Sequence, residues 1–186
     1  MIKEHFLKVR NVGDLEGESF TGRAASMICG AAMRVSLCID ASQRITGARF
    51  KAAGCSFLVG SASVLTEQIK GELTGEVAAL LQAPGNTPGE VLGEIPPDKA
   101  HCAALVYQAL LSAIKAYSDS VRDEWEGDEA LICTCFGVSE RRIENEIESG
   151  GLRTIMEVTK ACNAGAGCRS CYSLIEDILE EVNREQ

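Results

Sequence analysis

The spacing of apolar and polar residues changes character along the chain. From the start to about Gly13, Ile2, Phe6, Leu7 and Val9 form a rough apolar stripe, which predicts a short amphipathic helix. The period then drops to two. In "AAMRVSLCID" Val35, Leu37 and Ile39 face one way, and Arg34, Ser36 and Asp40 the other. A less regular run, Phe20 to Ile28, precedes it. After a polar turn at Ala41–Arg44, "ITGARFKAAG" alternates in part through Ile45, Ala48, Phe50 and Ala52. Three such runs in succession predict an antiparallel meander.

Beyond Gly54–Cys55 the spacing becomes helical. "SFLVGSASVLTEQIKG" places small residues on one side and stops at Gly71. "LTGEVAALLQ" reads as another helix, with Thr74 as its N-cap. "APGNTPGEVLGEIPPDK" reads as a loop. From Asp98 to Arg122 the positions Leu105, Ala109, Leu110, Ile114 and Tyr117 keep the spacing of one long helix. "SDSVRDEWEGDEA" is charged and mostly acidic, and reads as a linker. Helices are then expected after the N-cap Ser139, near Thr154–Ala161, and from Tyr172 to Asn183, with a Gly-rich loop "NAGAGC" before the last. The expected fold is α+β. A three-stranded antiparallel sheet packed with helices spans residues 1–120, an acidic linker 121–130, and a small all-α domain 131–186.

Composition narrows the classes. The 186 residues are 46% hydrophobic and 24% charged, normal for a globular protein. No apolar run is long enough to span a membrane, and the first residues lack a signal-peptide core, so a cytoplasmic protein is expected. A net charge of −9 argues against nucleic acid as a partner. Nine cysteines are many for a reducing compartment, where they indicate metal binding or thiol chemistry rather than disulfides. Only two histidines, His5 and His101, accompany them.

The cysteines fall into two groups. Cys133-x-Cys135 and Cys168-x-x-Cys171 supply four thiolates, a set that suits zinc or an iron–sulfur cluster, and Gly165 and Gly167 allow close backbone approach. Spacing alone leaves zinc, iron–sulfur and plain buried thiols open. Cys29, Cys55 and Cys102, the last beside His101, are far apart in sequence, but each lies at an element boundary, where ends can converge on one metal. Here too ordinary buried thiols remain the alternative. Cys38 and Cys162 read as structural.

"ICTCFGVSERRIENEI…TIMEVTKACNAGAGCRSCYSLIEDIL" resembles the small ferredoxin-like module of bacterioferritin-associated ferredoxin, also the middle domain of NifU. The resemblance implies a permanent 2Fe–2S cluster on Cys133, Cys135, Cys168 and Cys171. Upstream, "RNVG", "ICG", "ARFKAAGCSFLVGSASVLTEQIKG" and "IPPDKAHC" resemble, in order, the signature segments of IscU-type scaffolds and of the N-terminal domain of NifU. That implies an assembly site of Cys29, Cys55, His101 and Cys102, with Cys102 as sulfur acceptor and Lys99 as an auxiliary charge. Zinc in place of iron stays open there.

Two departures stand out. Where the family has an aspartate after Cys-Gly, this chain has Ala31, which cannot ligate. The third domain usual in NifU does not follow before Gln186.

The resemblance implies a non-enzymatic scaffold that takes sulfur from a cysteine desulfurase, assembles a labile or semi-stable 2Fe–2S or 4Fe–4S cluster, and delivers it to apo client proteins. It further implies a homodimer and an electron donor. The alternative is a cluster-storage or electron-transfer protein whose upstream cluster is stable because of Ala31. A zinc-stabilised interaction module is the third reading.

Overall fold

The computed structural model describes residues 2–83, 95–123 and 129–184. They divide into two units, one of Met1–Glu72 with Leu80–Tyr117, the other of Leu73–Ala79 with Ser118–Gln186.

The first unit carries the meander. Strands β1 (Phe20–Ala25), β2 (Ala32–Ile39) and β3 (Ile45–Ala53) pair antiparallel in the order β1-β2-β3. The period-two pattern sends Met33, Val35 and Leu37 of β2 and Ala48 and Phe50 of β3 inward, and Ile45 at the start of β3 is buried as well, out of that alternation. Ile39 is only half-buried, because the register shifts between Cys38 and Ile39. The turn between β2 and β3 is closed by Asp40, whose Oδ1 accepts from the amides of Ser42 at 2.9 Å and Arg44 at 3.0 Å. Gln43 of that polar turn is buried, against expectation.

Helices α2 (Ser56–Gln68) and α4 (Ala100–Asp123) supply the remaining core, through Leu58, Leu65, Leu105 and Leu110 among others. A single 3₁₀ turn, Pro97–Lys99, leads into α4. Gly22 of β1 meets the α4 backbone directly. A Cβ there would overlap Ala109 O and Ala113 N, so only glycine allows the strand this close.

The first helix, α1 (Ile2–Leu7), is shorter than the apolar stripe suggested. Leu7 is 93% exposed, and Val9 is also exposed. The buried contact is instead polar. His5 Nδ1 lies 2.8 Å from Ser63 Oγ on α2, which also accepts from Arg10 N at 2.8 Å. Phe6 packs edge-on against Phe57. The segment after α1 runs along β3, where Gly13 N donates to Phe50 O at 2.9 Å, and so covers that sheet edge.

The second unit is helical apart from a short antiparallel ladder, β4 (Leu131–Cys133) with β5 (Val138–Ser139). Ser139 caps α5 (Glu140–Gly150) by accepting from Arg142 N. Thr154 caps α6 (Ile155–Cys162) in a full capping box with Glu157. Then comes α7 (Tyr172–Arg184). Ile143, Ile147, Val158, Ile175 and Leu179 form the core.

Two earlier stretches belong to this unit: the first turns of α3 (Thr74–Gln82) and the last turns of α4. Thr74 is not a cap; it is the first helical residue, and its buried hydroxyl has no hydrogen-bond partner among the described residues. The helix α4 continues through Asp123, into the stretch read as linker; residues 124–128 of that linker lie outside the described residues. So does most of the loop read over Ala83–Lys99, at 84–94. Among the described residues no helix is long and apolar enough to cross a membrane.

Candidate metal centres

Three element ends bring the upstream residues together. Cys55 follows β3 as the N-cap residue of α2, Cys102 is the third residue of α4, and Cys29 sits on the loop between β1 and β2. That loop is closed by Ser26 N to Ala31 O at 2.8 Å and Gly30 N to Ser26 O at 2.9 Å. The Sγ atoms of Cys55 and Cys102 are 3.2 Å apart, and His101 Nε2 is 3.4 Å from Cys102 Sγ. Cys29 is fully exposed, with Met27 and Ile28 beside it at 98% and 97% exposure.

The thiols differ in acidity. Burial pushes Cys102 up to about 11, reinforced by Cys55 and Cys29 and only partly opposed by Lys99. At Cys55 burial also acts upward, but it is outweighed by the Leu58 amide at the start of α2, by Cys102, by the Phe57 amide and by Lys99, so the thiol lies below its ordinary value. Cys29 is lowered by the Ser26 hydroxyl and the Ala31 amide first, then by His101. Lys99 pairs with Asp98 at 3.2 Å, and its charge is further favoured by the two thiolates.

Downstream, Cys133 ends β4 and Cys135 lies in the turn to β5, where Gly137 (φ 60°) reverses the chain. The first pair therefore precedes a short strand. Cys168 and Cys171 lie on the loop before α7. Cys135 and Cys168 Sγ are 3.4 Å apart, and Cys171 is near enough to Cys133 to feel its charge. Gly167 permits this meeting of loops, since a Cβ there would lie 2.9 Å from Cys135 Cβ. Cys168 is lowered to about 7, chiefly by the Ser170 hydroxyl, 3.0 Å away, and the Ser170 amide. Cys171 is raised to about 12 by burial and then by Cys133.

Among the described residues no three His, Cys, Asp or Glu side chains stand in ready-made metal-ligating geometry. The closest sulfur pairs, at 3.2 and 3.4 Å, are near the separation of about 3.8 Å that two thiolates adopt on one tetrahedral metal with bonds of about 2.3 Å. Soft thiolate sets of this kind fit zinc or iron–sulfur centres. Each donor set thus holds one thiol pair at a spacing that suits a metal centre.

Ala31 is 5% exposed and packs under Gly54. Cys38 Sγ donates to Glu18 O at 3.4 Å, and buried Cys162 donates to Val158 O at 3.3 Å. Sequence reasoning passed over Ser26, Ser170 and Ser118, which touch or support the thiol loops. Their one signal was closeness to cysteine, and Ser118 lacked even that.

The family described as NifU-like N terminal domain matches residues 1–123, and that described as BFD-like [2Fe-2S] binding domain matches 131–181. The chain is similar to nitrogen fixation protein NifU of Trichormus azollae, 35% identical over the whole chain and 64% of that protein's length. It is 35% identical to the iron–sulfur cluster assembly scaffold protein IscU of Aquifex aeolicus, over 62% of this chain and 73% of that one. The chain thus spans about two-thirds or less of the length of the NifU proteins it matches end to end. The N-terminal part of a nitrogen-fixing NifU-like protein from Brucella abortus shares the fold, with a TM-score of 0.52 at 18% identity over 63% of this chain and 92% of that chain.

Proposed function

The chain belongs to the family of NifU-like N-terminal domains, here joined to a BFD-like 2Fe–2S domain, and on that premise we propose that it is a scaffold for iron–sulfur cluster assembly. Iron and sulfur are its cargo. The observation that carries this function is the meeting of Cys55, at the start of α2, with Cys102 and His101, at the start of α4, with Cys29 exposed on the loop before β2.

In this role Cys102 accepts sulfur from the persulfide of a cysteine desulfurase. Its thiol must first lose a proton, and Cys55 thiolate and His101 Nε2 are both close enough to take it. Cys102 sulfur then attacks the outer persulfide sulfur. The donor's S–S bond breaks, a new one forms on Cys102, and the desulfurase leaves as thiolate. Lys99 stabilises the anionic sulfur. Cys29, exposed at the rim, completes the cargo site and faces the apo client that receives the finished cluster. The protein is a carrier, acting stoichiometrically. Cys133, Cys135, Cys168 and Cys171 hold a resident 2Fe–2S cluster, which when bound supplies one-electron chemistry. An electron donor and a homodimeric assembly belong to this proposal, as does a cytoplasmic setting.

One observation favours cluster storage or electron transfer instead. Ala31 presents a buried methyl where the resemblance places an oxygen ligand, so a cluster there lacks a hard, easily released donor. Anaerobic reconstitution with desulfurase, iron and cysteine, followed by Mössbauer spectroscopy and transfer to an apo-ferredoxin, separates the readings. Rapid transfer from the wild type supports the scaffold. Slow transfer that Ala31→Asp accelerates about tenfold supports storage. A colourless, zinc-replete protein that takes up no iron overturns both.

A further inference from the structure

We infer that Gly75, in the first turn of α3, and Ser118, near the end of α4, are positioning residues for the downstream cluster. They hold the two loops that carry its ligands, and so set its reduction potential and retention. The inference rests on the assignment of a resident cluster to Cys133, Cys135, Cys168 and Cys171. Both residues precede the ferredoxin-like stretch 131–181, yet both fold into the second unit.

Each ligand loop has one such support. The turn Cys133–Gly137 is held from α4. The hydroxyl of Ser118, 6% exposed, donates to Cys135 O, which fixes the peptide plane between Cys135 and Phe136. Beside it, Val121 packs so closely on Gly137 that a Cβ there would overlap Val121 Cγ1. The loop from Asn163 to Cys168 is held from α3. Gly75 N donates to Asn163 Oδ1 at 3.1 Å, and Asn163 is wholly buried with φ 62°. A Cβ on Gly75 would overlap Asn163 Oδ1 and lie 2.6 Å from Ala166 Cβ. Glycine in a helix is ordinarily disfavoured relative to alanine. Here it makes room for the cysteine loop.

Outer groups of this kind orient metal ligands and tune the metal's electronics. Ser118 neutralises the negative end of the Cys135 carbonyl. Without it that dipole stands uncompensated beside the cluster and disfavours the more negative, reduced state.

The test uses the full chain, reconstituted anaerobically. Ser118→Ala is expected to lower the reduced-to-oxidised ratio about fivefold at a fixed potential, with Ser118→Thr restoring it. Gly75→Ala is expected to accelerate cluster loss to an iron chelator about tenfold and to broaden the EPR signal of the reduced cluster. Asn163→Gly, which keeps the left-handed backbone but removes the acceptor, should act in the same direction. Wild-type potential in Ser118→Ala together with wild-type cluster loss in Gly75→Ala, both with wild-type circular dichroism, overturns the inference. If Gly75→Ala does not fold, the Ser118 pair decides alone. A downstream cluster that survives alanine at Cys133, Cys135, Cys168 and Cys171 overturns the site assignment itself.

Discussion

Cys168 and Cys171 are three positions apart, yet their acidities differ widely, at about 7 and about 12. The spacing identified both as ligand candidates but could say nothing of this difference, which arises from the Ser170 hydroxyl and amide on one side and burial on the other. In metal-free protein at pH 7, Cys168 is about half thiolate and Cys171 almost none. Iodoacetamide should therefore label Cys168 first, about tenfold faster at pH 8 than at pH 6, and leave Cys171 untouched, as read by peptide mass spectrometry. Equal labelling of the two would refute these environments. The upstream thiols follow the same logic, because Cys102 at 2% exposure and Cys29 in the open differ in solvation before they differ in chemistry.

At the scale of elements, the period-two signal located β2 and β3 and the helical spacing located α2 and α4, because those elements bury one face against a core. What the sequence hid was polar or depended on distant contacts. The anchor of α1 is His5 on Ser63, invisible to an apolar stripe that pointed to Leu7. Thr74 has the identity of a cap without the geometry. The capping box of α6, Thr154 with Glu157, was legible and was passed over. At the candidate sites, the meeting of Cys55 with Cys102 and His101, and of Cys135 with Cys168, was legible from boundaries and resemblance, whereas Ser118 lies in what looked like linker and Gly75 in an ordinary helix start. Gly22 carries the contact of β1 with α4, and Gly22→Ala should lower stability by about 1–3 kcal/mol. The urea midpoint measures this; an unchanged midpoint would mean that the strand and helix do not meet so closely.

For the whole molecule, the proposed sites would couple metal binding to folding. Cys133 and Cys171 are nearly fully buried, and a metal held by such residues binds the folded chain and not the unfolded one. Stripping iron from reconstituted protein should therefore lower the calorimetric melting temperature by several degrees, since a ligand bound only to the folded state stabilises it by mass action. An identical thermogram before and after chelation would show that these thiols carry no stabilising metal. The sharing of α3 and α4 between the two units also bears on how the gene can be divided. A fragment beginning at Leu131, where the family match starts, would leave Gly75 and Ser118 behind. One ending at Tyr117, where the first unit ends, would cut α4 in mid-helix. A cut that respects sequence similarity and one that respects folding fall in different places.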